Sequence, residues 1–256
     1  MSMIKTAERV PKSKHEYNYV FQRCLFAYYE ALKHIKGRVL EIGTGSGYGI
    51  EIISPKVVEF VTIDKYDCEL DFTNYKNVTF IQMEIPPLSH VDSNSFDYVI
   101  SFQVIEHIEN DKEFLKEIYR VLKVGGKLIL TTPNHVQSLT RNPWHVREYT
   151  VAELKELMES YFAKVTTLGT YGSKIVNDYI DINRKNVQRF TRFDIFDLQH
   201  RLPRKWLQIP YDLLNQFNRN QIAENHKDIT QNINQDDFYV QEASELCLDL
   251  FYIAEK

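Results

Sequence analysis

The sequence predicts a doubly wound α/β fold, and three observations predict it. Short apolar runs rich in β-branched and aromatic residues alternate with helix-patterned stretches from residue 38 to residue 168, as in βαβ units with both sheet faces covered. The first run carries Glu41 near its end and breaks into a loop with glycine at every second position, Gly43, Gly45 and Gly47. That reads as a buried strand feeding a tight turn with its backbone laid bare for a ligand. The second run ends in Asp64, about 20 residues beyond the loop, where nucleotide folds keep a ribose-binding acid.

Taken in order, Tyr17, Val20, Cys24, Ala27, Ala31 and Ile35 recur at helical spacing, so residues 13–36 are expected to form an amphipathic helix over the first strand. Strands follow at 38–42, 57–63, 78–82 and 96–102, with a helix starting near Gly47. Asn110 and Glu113 form a capping pair for a helix to Lys123, whose stripe is Phe114, Leu115, Ile118, Val121 and Leu122. Gly125 and Gly126 stop it, and 127–132 reads as the next strand. Thr150 and Glu153 repeat the capping-box signature for a helix at 150–160, before a strand at 163–168. A last strand is expected at 246–254, an apolar run flanked by charges. The stretch 170–240 is too long for a connection and too patterned for disorder, so it reads as a mostly helical insertion.

Composition sets bounds. With 256 residues and a hydrophobic fraction of 43%, the chain suits one large α/β domain, or one carrying an insertion. A net charge of −4 gives no general pull toward nucleic acid or an anionic membrane. No stretch approaches the roughly 20 apolar residues of a membrane span, and residues 1–14 lack a secretion-signal core. Cys24, Cys68 and Cys247 lie far apart, with no disulfide framework or zinc spacing. These features predict a soluble, reduced, cytoplasmic protein.

The chemistry starts at the glycine loop. Its spacing is GxGxG, not the GxGxxG of dinucleotide binding, and Glu41 suits a cationic or amine-bearing ligand better than a pyrophosphate. Three further stretches follow in order: Gln82-Met83-Glu84-Ile85-Pro86-Pro87, then Ser95-Phe96-Asp97-Tyr98-Val99 running into Ile105-Glu106-His107-Ile108, then Leu122-Lys123-Val124-Gly125-Gly126. Together the four matches resemble the class I S-adenosylmethionine (SAM) methyltransferases, in their small-molecule and glycan-pathway branch, over residues 36–168. The resemblance implies a Rossmann-like seven-stranded sheet, its last strand antiparallel, with SAM as cofactor. It divides the chain into a SAM-binding core at 1–170, a helical lid on the acceptor side at 171–240, and a C-terminal strand segment at 241–256.

The resemblance also assigns roles. Backbone of Gly43, Gly45 and Gly47, with Glu41 at the strand end, faces the amino acid part of SAM. Asp64 offers two acceptor oxygens to the ribose diol. Glu84 stands where the family places an aspartate bonded to the adenine amino group, between Met83 and Ile85, which sandwich the ring. Phe102 and Gln103 complete the cofactor-binding set. His107 is the first catalytic candidate, since methyl transfer needs a positioned nucleophile stripped of its proton. Ubiquinone-pathway relatives hold a divalent metal here with two glutamates and a histidine, but Gln103 replaces the first, so no metal site is expected.

The stretch Pro143-Trp144-His145-Val146-Arg147-Glu148-Tyr149 lies after the fifth expected strand, on the acceptor side. It offers stacking, a second candidate base in His145 and an anion contact in Arg147, or else a structural staple into the helix at Thr150. A similar element in bacterial glycan-pathway methyltransferases turns the expectation toward sugars. In the insertion, Arg184, Lys185, Arg189, Arg192, Arg201, Arg204 and Lys205 are interleaved with Phe190, Phe193, Phe196 and Trp206. That composition suits a lid over an anionic acceptor, contact with RNA or a membrane surface, or a plain cover helix with solvated charges. The expected activity is methyl transfer to an oxygen, or less readily a nitrogen, of a small molecule or sugar precursor. The alternatives are RNA modification and a non-catalytic SAM-binding regulatory protein. The acidic balance, and Ser-Phe-Gln-Val where DNA adenine enzymes grip a flipped base, argue against nucleic acid. Oligomeric state and acceptor identity stay open at this point.

Overall fold

A computed structural model describes residues 14–68, 70–192, 194 and 197–256. The N-terminal reading over 1–13, and Phe193 and Phe196 of the insertion, lie outside the described residues. A short turn at His15–Tyr17 opens into α1 (Asn18–Leu32), then β1 (Arg38–Ile42), α2 (Tyr48–Ile53), β2 (Glu59–Asp64), β3 (Val78–Gln82) and β4 (Phe96–Phe102). Next come α3 (Asp111–Val121), β5 (Leu122–Pro133), α4 (Val151–Glu159) and β6 (Lys164–Gly172). Four helices follow, α5 (Lys174–Thr191), α6 (Leu198–Arg201), α7 (Arg204–Asn225) and α8 (Lys227–Asn232). The chain closes with β7 (Phe238–Glu242) and β8 (Asp249–Glu255).

The sheet order is β3-β2-β1-β4-β5-β8-β6-β7. Strands β1 to β5 pair in parallel, whereas β8 runs antiparallel to both β5 and β6. The reversal of strand order at β1 and β4 makes the switch point at which doubly wound sheets bind ligands. The sheet has eight strands where seven were expected. The addition is β7, antiparallel on the outer edge of β6. It straddles the expected border between insertion and C-terminal strand. Its five residues bury little besides Phe238, so an edge strand left no apolar run to find.

Side chains alternate across the sheet with period two. Leu40, Ile42, Val61, Ile63, Val99 and Leu128 join one core beneath α3 and α4. Val39, Phe60, Ile100 and Ile129 point the other way, into a core under α1 and α2. Both faces are covered, which is why these strands read as continuous apolar runs. Each such fully buried aliphatic side chain contributes roughly 1.5–3 kcal/mol.

The Asn110 side chain accepts from the Glu113 N–H at 3.1 Å, starting α3. The helix ends at Val121, ahead of the expected stop at Gly125 and Gly126. Leu122 is already extended and pairs with Phe96. The glycine pair sits instead in an irregularity of β5, where the register against β4 shifts between Phe96 and Tyr98 and Gly125 takes φ +75°. In α4 the capping box is complete: Thr150 Oγ1 accepts from the Glu153 N–H at 3.3 Å, and the Glu153 carboxylate accepts from the Thr150 N–H at 2.8 Å.

Helices α5 and α7 cross through a buried amide contact. Asn218 donates to Asn183 at 2.6 Å and accepts from Asn186 at 3.1 Å. The root of this pair is apolar: Val176, Tyr179, Ile222, Ile233 and Phe238 pack against Tyr19 and Phe26 of α1.

Candidate active site

All the expected site residues lie at the carboxyl ends of β1 to β5. The loop after β1 is held by its neighbours: Gly43 and Thr44 N–H groups donate to the Ile63 carbonyl at 2.8 and 3.2 Å. Gly43, Gly45 and Gly47 all have positive φ. At Gly43 the constraint is doubled, because a Cβ would also stand 2.5 Å from the Val104 side chain. Gly45 differs, with open space where its Cβ would point. Asp64 ties the loop to β2, one carboxylate oxygen accepting from the Gly45 N–H and the other from the Tyr66 N–H, both at 2.9 Å.

Glu41 is 1% exposed. Tyr28 donates to one of its oxygens at 2.8 Å and Thr62 to the other at 2.5 Å. It lies beneath the loop against Gly49, where a Cβ would come within 2.2 Å of its carboxylate. Burial pushes its carboxyl up to about 7, against the pull of those two donors.

After β3, the Met83 N–H donates to the Asp64 carbonyl at 2.9 Å. Met83 and Ile85 are half-buried against the core, and Glu84 between them is exposed. After β4, Phe102 meets Tyr28 edge-on at 5.0 Å. Gln103 adopts a left-handed φ of +56°. Its amide donates to Thr131 at 3.3 Å and to Asp249 at 3.2 Å. Asp249 is also gripped by the Arg23 guanidinium. This network fixes the turn that delivers Glu106 and His107.

His107 and His145 stand together, ring centroids 5.0 Å apart and edge to face. The His107 Nδ1 is 3.1 Å from the Trp144 carbonyl. A carbonyl only accepts, so Nδ1 carries the proton and Nε2 the lone pair. Burial pushes this imidazole down to about 4, aided by His145 and Lys65 and opposed by that carbonyl. The His145 Nδ1 lies 2.6 Å from Glu148 Oε1, and its Nε2 is 2.8 Å from the Asn142 amide. Burial works to raise the Glu148 carboxyl, but bonds from His145 and Ser138 outweigh it and hold it below its usual value. Glu106 accepts from Thr132 at 2.9 Å, and its backbone carbonyl receives the Val146 N–H at 2.7 Å. Among the described residues, Glu106, His107 and His145 each offer a donor atom within 4.8 Å of the others.

The rest of the 143–149 stretch acts as a staple. Arg147 pairs with Asp111 at 2.5 Å, and the buried Tyr149 hydroxyl donates to the same carboxylate at 2.9 Å. Arg147 is thus committed to an acid rather than presented as an anion contact. Glu148, three residues past His145, was the partner missed in the sequence. Its signal was there, but i+3 contact in a loop requires the turn to be known. The same holds for Tyr28 and Thr62 around Glu41.

A family model described as a methyltransferase domain matches residues 40–130. A probable SAM-dependent methyltransferase of Mycolicibacterium smegmatis is 34% identical over 175 residues, spanning 65% of this chain and 68% of that one. This chain belongs to the SAM-dependent methyltransferases. A relative of the same description in Mycobacterium tuberculosis is 30% identical over 182 residues, covering 68% of this chain and 66% of the other. Two solved structures share the methyltransferase fold. The YcgJ protein of Bacillus subtilis has a TM-score of 0.53 at 19% identity, over 90% of this chain and 97% of its own. A possible histamine N-methyltransferase of Thermotoga maritima has a TM-score of 0.56 at 15% identity, over 94% and 98%. The methyltransferase cofactor is SAM, and the residues present fit it: open space before Gly45, a carboxylate beyond it, and half-buried apolar side chains flanking Glu84.

Proposed function

We propose that this methyltransferase methylates a hydroxyl oxygen of a small molecule or sugar precursor. The observation that carries this reading is the His145–Glu148 pair beside His107. A hydroxyl acceptor must lose its proton as the O–CH3 bond forms, and an imidazole oriented by a carboxylate is built for that. SAM supplies an electrophilic methyl group on a sulfonium and departs as a neutral thioether.

In this reading Asp64 accepts from the ribose hydroxyls, and Glu84 receives the adenine amino group between Met83 and Ile85. The Gly43–Gly47 backbone takes the amino acid end, over Glu41 as its support. Phe102 and Gln103 shape the floor where cofactor and acceptor meet. His145 takes the acceptor proton on Nε2 once the acceptor hydroxyl displaces the Asn142 amide that donates there, with Glu148 fixing the tautomer at Nδ1. His107, held neutral, accepts a hydrogen bond at Nε2 and orients the hydroxyl. The likeness of 143–149 to a glycan-pathway element supports a sugar among the hydroxylated acceptors.

The test is methyl transfer from labelled SAM to a panel of hydroxylated small molecules and sugar phosphates. With the best acceptor, His145→Gln is expected to lower kcat by about 100-fold or more while SAM affinity stays within about twofold. Glu148→Gln should fall between the two enzymes. Unchanged turnover in His145→Gln, or label found only on nitrogen, would overturn the assignment.

We also propose that turnover needs no resident metal. Gln103 spends its amide on Thr131 and Asp249, and one Glu106 oxygen is committed to Thr132. Dialysis against a chelator should therefore leave the rate within about twofold, since a required Lewis acid supplies several kcal/mol. Loss of activity restored by a divalent ion would reassign Glu106, His107 and His145 as ligands.

A further inference from the structure

Helix α7 is nearly inside out. Apart from Ile222 at its far end, its inner side is polar: Asp212 receives the Trp144 indole N–H at 3.0 Å, Gln216 bonds the Tyr17 hydroxyl, and Asn218 is buried between Asn183 and Asn186. Its outer side carries Trp206, Ile209 and Leu213 at 71, 72 and 67% exposure, with Leu214 and Phe217 half exposed. Positions 206, 209, 213 and 217 fall on one face of a helix. The row runs three turns, about 16 Å along the axis. A contiguous exposed apolar surface of this kind marks an interaction site.

Charge says what it fits. The chain carries a net −4, yet along the chain the exposed Arg189, Arg192, Arg201 and Lys205 fall between the end of α5 and the start of α7, with Lys205 directly before Trp206. The acids there, Asp194 and Asp197, are turned to local work: Asp194 accepts from the Leu198 and Gln199 N–H groups at 2.7 and 3.1 Å, and Asp197 bonds His200. A tryptophan-led apolar face rimmed by cations is the signature of a helix lying in a membrane interface. Indole sits at headgroup level and long cationic side chains reach up to phosphate. Among the described residues no helix is long and apolar enough to cross a membrane, so the fit is to the surface.

We propose that the outer face of α7, from Trp206 to Phe217, docks this protein on an anionic lipid bilayer. The active site lies on the other side of the same helix, which touches Trp144 and, through Arg204, the His145 carbonyl. The experiment uses the full chain with vesicles of phosphatidylcholine, alone or mixed with phosphatidylglycerol, read by co-sedimentation and tryptophan emission. At least tenfold stronger partitioning onto the anionic vesicles is expected, with a blue shift that Trp206→Phe removes. Leu213→Glu and Lys205→Glu should each cut partitioning at least tenfold. SAM affinity measured by calorimetry should be unchanged in both, which separates lost docking from lost folding and from any failure of the cofactor site. Equal partitioning of wild type and Leu213→Glu, or none by either, overturns the proposal. So does a dimer in light scattering that Leu213→Glu converts to monomer without any vesicle binding, which would assign the face to a second copy.

Discussion

Replacing Asp64 with alanine is expected to weaken SAM binding by at least about 100-fold. Two losses combine. A hydrogen bond to a charged group contributes about 1.5–3 kcal/mol, and the ribose diol offers two. Asp64 also holds the Gly45 and Tyr66 N–H groups, so its removal loosens the loop that must meet the rest of the cofactor. Asp64→Asn separates these effects, because it keeps one acceptor oxygen but loses the charge and the second acceptor. It should fall between wild type and alanine. Calorimetric titration with SAM and with its demethylated product reads both. If Asp64→Ala binds within threefold of wild type, the ribose assignment fails.

The second large effect concerns stability. Glu41 is buried, and its carboxyl rises from 4.5 to about 7 in the folded chain. Between those values the folded state holds a proton that the unfolded state has released, so stability drains away as pH rises through that window. The shift corresponds to roughly 3 kcal/mol. Glu41→Gln keeps the shape and removes the titration. Its stability relative to wild type should therefore improve by about 2–3 kcal/mol between pH 5 and pH 8, measured by denaturant unfolding at each pH. A difference that stays flat across that range would show that Glu41 does not titrate in the window. His107 carries the opposite sign. Its folded value is lowered to about 4, so its contribution is present above its unfolded value near 6.5 and is lost as pH falls toward 4. The comparison of Glu41→Gln with wild type cancels this term, because His107 is present in both.

The legible parts of this protein were those with local causes. The parallel strands announced themselves because both faces are covered, and the capping boxes because their partners sit three residues apart. The glycine loop and Asp64 were legible because chain spacing places them at the ends of neighbouring strands, and the Gly45–Asp64 bond follows from that. What stayed hidden depends on contacts between distant segments. Tyr28 reaches Glu41 from another element, and Asp249 reaches Gln103 from the end of the chain. The edge strand β7 has too few buried residues to leave a pattern. The apolar row on α7 was not singled out in the sequence, because only its exposure shows that a stripe at helical spacing faces outward.

The pairing of β6 with β7 has an architectural consequence. Gly172 sits opposite Phe238 across the ladder, and the Ser173 N–H donates to the Asp237 carbonyl at 2.7 Å. Everything from Ser173 to Asp237, the four helices included, is therefore an excursion from the tip of one antiparallel hairpin. A chain that leaves and returns at the same spot can be exchanged for a longer or shorter one at small entropic cost. The parallel sheet and this helical excursion are joined like a socket and a fitting, so the helices can be exchanged without disturbing β1 to β5.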